Sequence, residues 1–194
     1  MIRLWRQARR DKKVPDSERI AQALKVVGRE KLLLDVTNQT AELTQAGMQL
    51  DLGSIAKGYI GDEAIVVFRS LGYPAAAFNA GGDMVFGDAP PGSKGWPVKP
   101  AKKDLATMFV SNCGFSVSGD TVQFVEINGK RYSHVIDALT GLPLTQHAMC
   151  MVMAPTGLIS DPLSTLGTIL PEKDFNQLVH LRFPDTKTWV FVSE

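Results

Sequence analysis

Asp51-Leu52-Gly53-Ser54-Ile55-Ala56-Lys57-Gly58-Tyr59 is the stretch on which the reading of this chain turns. It has the form of a strand end, a glycine turn and a helix start with a cation in its first turn. The helix is expected to run from about Ser54 to Leu71, with Gly72 as its C-terminal stop. Backbone N–H groups and the dipole at such a helix start favour a phosphate, and Lys57 supplies a compact charge to neutralise one. Taken alone, the same residues read as an N-cap (Ser54) and a solvated lysine (Lys57). The glycine-to-lysine spacing of a Walker A loop is absent.

Working outward, the segments on either side alternate between short strands and helices. Towards the N-terminus, Pro15-Asp16-Ser17-Glu18 signals a helix start whose apolar face is Ile20, Ala23, Leu24 and Val27. Lys31 to Asp35 is expected as a strand and Asn38 to Met48 as a hairpin. Towards the C-terminus, Ala75 to Phe78 is a strand of small residues leading into Asn79-Ala80-Gly81-Gly82-Asp83, a turn whose glycines allow close approach of a ligand or simply a reversal between strands. Further strands are expected at Phe115–Val117, Val122–Ile127, His134–Ile136, Ala148–Met153 and Trp189–Val192. Asn128-Gly129 marks a tight hairpin turn. Helices are expected near Asp161 and over Lys173 to His180. Strands in hairpins with a few helices on one side indicate an α+β fold with antiparallel or mixed sheets.

Composition narrows the function classes. The chain has 194 residues, 44% hydrophobic and 21% charged, which fits one domain or two small lobes sharing a core. With 21 Lys and Arg against 20 acidic residues, the net charge of +1 gives no reason to name nucleic acid or an anionic membrane as a partner. The basic start, Met1 to Arg10, has no apolar run behind it and is no signal peptide as it stands. The longest apolar run, Ala148 to Pro155, is too short to span a bilayer. Cys113 and Cys150 lack metal or redox spacing; buried thiols are the plain reading, and a disulfide stays open.

Two further segments carry chemistry. In Ser133-His134-Val135-Ile136-Asp137-Ala138-Leu139-Thr140-Gly141, His134 and Asp137 bracket a strand end and a turn. In Asp161-Pro162-Leu163-Ser164-Thr165, Pro162 suits the first turn of a helix, so Asp161 reads as an N-cap. Thr165, however, lies one turn further along the same face. A carboxylate and a hydroxyl so placed are hard oxygen ligands suited to Mg²⁺, and no Cys/His cluster argues for zinc.

Taken together and in this order, Asp51–Tyr59, Asn79–Asp83, Ser118-Gly119-Asp120, His134–Gly141 and Asp161–Thr165 resemble the ApbE flavin transferase family, FAD:protein FMN transferases. The family pattern runs approximately D-L-G-G/S-I-A-K-G-Y, N-A-G-G-D, S-G-D/Y/F, H-I-I-D-P-x-T-G and D-A-L-S/D-T. Leu181-Arg182-Phe183-Pro184 is similar to the family's closing helix. Here Pro162 stands in place of the family's alanine and Ala138 in place of its proline.

The resemblance implies a Mg²⁺-dependent enzyme that cleaves the pyrophosphate of FAD, transfers FMN to a Thr or Ser of an acceptor protein and releases AMP. Carried over, Ser54 (through its backbone carbonyl), Asp161, Ser164 and Thr165 would surround the metal. Asp51, Lys57 and Ile136 would contact FAD, and His134 would be the base for the acceptor hydroxyl or would position the phosphate. The resemblance also implies a periplasmic or cell-envelope location, is compatible with a homodimer, and treats 1–194 as one ApbE-like domain lacking the family's N-terminal stretch. That stretch carries the export sequence and residues that hold the flavin ring. Two alternatives stay open: an FAD-binding or FAD-hydrolysing protein without transfer, and a non-catalytic truncated remnant.

Overall fold

The computed structural model describes residues 1–100, 102, 105–119, 124–145 and 147–193. Asp120 and the first two residues of the strand expected from Val122 lie outside the described residues. In chain order the elements are α1 (Ile2–Asp11), α2 (Ser17–Leu24), β1 (Leu32–Asp35), β2 (Thr40–Leu43), α3 (Ala56–Ser70), β3 (Ala77–Asn79), β4 (Asp83–Phe86), β5 (Trp96–Val98), β6 (Met108–Val110), β7 (Cys113–Gly119), β8 (Phe124–Ile127), β9 (Lys130–Ser133), β10 (His147–Ala154), α4 (Gly157–Leu166), α5 (Glu172–Arg182) and β11 (Lys187–Ser193). This is the expected α+β class. The chain forms two compact units, Met1–Asp51 with Asp120–Gln146, and Leu52–Gly119 with His147–Glu194.

The second unit is built on a five-stranded antiparallel sheet in the order β11-β10-β7-β4-β3. Successive side chains of a strand point to opposite faces, and β10 uses both. Cys150, Val152 and Ala154 pack with Leu163 of α4 and with Phe175 and Val179 of α5. Met151 instead joins Phe86, Phe115, Val98 and Val110, the last two from the β5–β6 hairpin. With both faces covered, β10 reads as the near-continuous apolar run Ala148 to Pro155. Helices α3 and α4 touch through glycine. A Cβ on Gly58 would lie 2.0 Å from the Gly157 carbonyl oxygen, so no larger residue fits without the helices separating.

The first unit holds α1, α2 and two hairpins, β1–β2 and β8–β9. Trp5 is buried, donates its indole N–H to the Gly141 carbonyl at 2.8 Å and lies against Tyr132. Asn128 and Gly129 both have positive φ, 53° and 74°, as a two-residue hairpin turn requires. Asp16 caps α2 by accepting from the Arg19 N–H at 2.8 Å.

Several sequence expectations need correction. Helix α1 was masked by its arginines, although Met1, Trp5 and Ala8 repeat at helical spacing. The first hairpin turns at residues 36–39, with Gln39 at φ 52°, rather than within Asn38–Met48. The strand expected at His134–Ile136 is only an isolated bridge between Ile136 and Pro143. Strands β5 and β6 were not foreseen. The helix expected near Asp161 begins at Gly157, so Asp161 is no N-cap and Pro162 lies inside the helix. Its start is held from elsewhere: Asp62 of α3 accepts from the N–H groups of Gly157 (2.7 Å) and Leu158 (2.8 Å). Nor is Ser54 the cap of α3; that position belongs to Ile55.

Candidate functional site

Against the start of α3 the second unit places two buried carboxylates, Asp83 and Asp161. Asp161, 1% exposed, takes the Gly58 N–H on its Oδ2 at 3.0 Å. In a regular helix that N–H would bond the carbonyl four residues back, so the Ser54 carbonyl is released from its helical donor. The N–H groups of Ile55 and Ala56 go to the Leu52 carbonyl. The first turn of α3 is therefore occupied by protein acceptors, and a phosphate would have to be held here by side chains and a cation instead.

Lys57 reaches Asp83, whose carboxylate is 2% exposed at the start of β4. The other oxygen of Asp83, Oδ1, is buried without a hydrogen-bond partner among the described residues. Asp83 is presented by the Asn79–Asp83 turn, in which the Asn79 side chain accepts from the N–H groups of Gly81 (3.1 Å) and Gly82 (3.4 Å). Burial pushes the Asp161 carboxyl above its ordinary range; the Gly58 N–H draws it back, the Asp83 charge adds to the push and Lys57 opposes it. Two buried carboxylates share one lysine, which leaves an excess of negative charge suited to a cation.

Thr165 follows Asp161 one turn along α4 and is half-buried, while Ser164 is fully buried. Ser118, at the end of β7, meets Ser164 at 2.8 Å and Thr165 at 3.2 Å. Of the residues expected from sequence to serve a metal or pyrophosphate, Ser54, Lys57, Asp161, Ser164 and Thr165 all belong to this unit. Among the described residues no group of three or more His, Cys, Asp or Glu could hold a metal. Hydroxyl, carbonyl and carboxylate oxygens are the donors a Mg²⁺ ion prefers, and Asp161, Thr165 and the Ser54 carbonyl fit that need.

Asp51, His134 and Ile136 belong to the first unit. Asp51 pairs with Arg6 at 2.8 Å. Asp51 and Ile136 line a cavity of about 860 Å³ that is also bordered by Arg3, Arg6, Arg29 and Leu50. His134 is half-buried in a bend after β9. Both Asp137 oxygens serve the turn that follows, accepting from the Leu139 N–H (2.8 Å) and the Thr140 hydroxyl (3.0 Å). Sequence reasoning quoted Asp83 and Ser118 but gave them no role, and it missed the arginines around the cavity. The basic start Met1 to Arg10 was the signal for Arg3 and Arg6, and nothing local marked Arg29.

The chain matches the ApbE family model over residues 1–188. It is 32% identical over 184 residues to the FAD:protein FMN transferase of Haemophilus influenzae, covering 89% of this chain and 53% of that protein. Among solved structures, the ApbE protein of Thermotoga maritima superposes with a TM-score of 0.79 at 29% identity, covering 93% of this chain and 60% of that one. The apo flavinyl transferase ApbE of Pseudomonas stutzeri gives 0.78 at 28% identity, with 94% and 57% covered. The chain spans about half the length of the curated relatives it matches. The family match runs across nearly the whole chain and the α+β fold is that of the solved relatives, so the chain belongs to the ApbE family.

Proposed function

We propose that this chain acts in FMN transfer from FAD to a protein hydroxyl, with Mg²⁺ as cofactor. The observation that carries the reading is the buried Asp161 carboxylate, set beside the Lys57–Asp83 pair at a helix start whose N–H groups are already used. Asp161, Thr165 and the Ser54 carbonyl would hold the metal, with Ser164 beside them. When bound, the ion offsets the charge that builds on the pyrophosphate as its bond breaks. Lys57 contributes a second positive charge to the leaving phosphate. Asp51 and Ile136 contact FAD.

In the reaction the Thr or Ser oxygen of the acceptor forms a bond to the phosphorus of the FMN half. The bond from that phosphorus to the bridging oxygen breaks, and AMP leaves with the electron pair. His134 takes the acceptor's proton or orients the phosphate. The acceptor is a protein with an accessible Thr or Ser, and the family's cell-envelope setting is the proposed location.

The test incubates the chain with FAD, Mg²⁺ and a Thr-containing acceptor protein, following covalent flavin fluorescence on a denaturing gel and AMP release. Transfer is expected, and Asp161→Ala is expected to abolish it while leaving the circular dichroism unchanged. His134→Ala should slow transfer by roughly a hundredfold, the usual scale for loss of a general base. AMP release without covalent flavin would replace transfer with hydrolysis, and an inactive wild type would overturn the enzymatic reading.

A further inference from the structure

The hydroxyls of Thr165, Ser118 and Ser164 form a chain whose direction follows from counting protons, since each hydroxyl has one to donate. Ser164 donates its proton to the Asp161 carbonyl at 2.8 Å, a backward bond within the helix that serine commonly makes. It has none left for Ser118, 2.8 Å away, so Ser118 donates to Ser164. Ser118 then has none for Thr165, and the 3.2 Å contact between them is donated by Thr165. The chain runs Thr165 to Ser118 to Ser164 to the Asp161 carbonyl.

Its two ends differ. Ser164 is fully buried and engaged on both sides, whereas Thr165 is only half-buried. With its hydroxyl hydrogen directed at Ser118, Thr165 offers only lone pairs on its open side. A second serine pair on the same two elements, Ser116 with Ser160 at 2.8 Å, is fully buried at both members. That pair ties β7 to α4 with no open end.

We propose that Ser118 is a positioning residue for the cation site: it holds the Thr165 proton away so that Thr165 presents oxygen lone pairs to a divalent metal, and Ser164 ends the proton chain rather than binding the ion. The inference rests on the metal reading above. Groups that orient metal ligands in this way typically govern affinity by ten- to a hundredfold, although they never touch the ion.

The experiment measures binding of Mn²⁺ to the chain by electron paramagnetic resonance, with Mg²⁺ as competitor and no flavin present. Ser118→Ala is expected to weaken both ions by about tenfold, and Ser118→Thr to restore most of the loss. Ser164→Ala should weaken binding similarly, and the double variant should be no weaker than either single one, because the two act in series. Ser116→Ala should bind as the wild type does. A merely structural Ser118 would lower the melting temperature in step with Ser116→Ala and leave the affinity alone. Wild-type affinity in Ser118→Ala, additive losses in the double variant, or loss confined to Ser164→Ala would each overturn the proposal while the metal site stands. If Ser118→Ala fails to fold, Ser118→Cys and Ser164→Ala carry the same comparison. A wild type that binds neither ion, or an Asp161→Ala variant that binds both normally, would overturn the metal reading and this inference with it.

Discussion

At the scale of single residues, Asp161 combines a cost and a use. Its carboxyl is raised by burial and by the neighbouring Asp83 charge, so the metal-free native chain holds this proton more tightly than the unfolded chain does. The stability it contributes is present below the ordinary carboxylate range and is lost as pH rises through the raised native value. Asp161→Asn keeps an oxygen for the Gly58 N–H and removes the charge. It is expected to stabilise the metal-free chain at neutral pH by about 1–2 kcal/mol in urea unfolding, to flatten that part of the pH dependence and to abolish the proposed divalent-ion binding. A variant that is less stable at neutral pH would show that the charge is already compensated. Burial likewise pushes Cys150 up to about 12 and Cys113 up to about 11. Both thiols should resist alkylation at pH 8 until the chain is denatured. Their contribution to stability should be intact below pH 9 and fall as pH rises towards 11–12, measured by unfolding across that window.

At the scale of elements, the α3–α4 crossing is what sets the site. Gly58 and Gly157 bring the two backbones together, and Asp161 reaches back to the first turn of α3 because of that approach. Gly58→Ala places a methyl group against a backbone carbonyl that has no freedom to rotate away. The expected cost is about 3 kcal/mol in urea unfolding, the upper range for overpacking, with loss of the proposed divalent-ion binding even in variants that still fold. Wild-type affinity in a folded Gly58→Ala chain would mean that the site tolerates separation of the helices. The same crossing explains the early start of α4. Asp62 lies one turn along α3 from Gly58 and satisfies the first N–H groups of its neighbour, so Asp161 is released from capping to face the site.

At the scale of the whole molecule, the two units differ in how much core each possesses. Among the described residues the two large apolar clusters, around Val152 with Phe175 and around Phe115 with Met151, lie in the second unit. In the first unit the β1–β2 hairpin leaves Leu33 and Leu34 about half exposed and Val36 89% exposed. Regions with few buried contacts open at low free energy. Amide hydrogen exchange should therefore be slowest in the middle of β7 and β10, at Val117, Met151 and Val152, and fastest along β1 and β2. Equal protection across both units would mean that the chain unfolds as one cooperative body.

Much of this protein was legible in its sequence because the signals involved are short-ranged. Asn128-Gly129 demands a two-residue turn by its own backbone preference, Asp16 caps α2 through an N–H three residues away, and Gly72, at φ 87°, ends α3 where a side chain would be strained. The segments around Lys57, Asp83 and Asp161 could be singled out for the same reason: each is a local cluster of turn, helix and charge. What each residue bonds to was decided only by the tertiary structure. Gly58 finds its acceptor 103 positions away, Gly157 finds Asp62 95 positions away, and Ser118 meets Ser164 across 46. Local chemistry favoured Asp161 and Ser54 as helix caps, since each is a good capping residue next to a helix signal. The fold overrode both readings. A buried N–H takes whichever acceptor packing delivers to it, and packing here is governed by glycine contacts and two-faced strand burial that involve residues far apart in the chain.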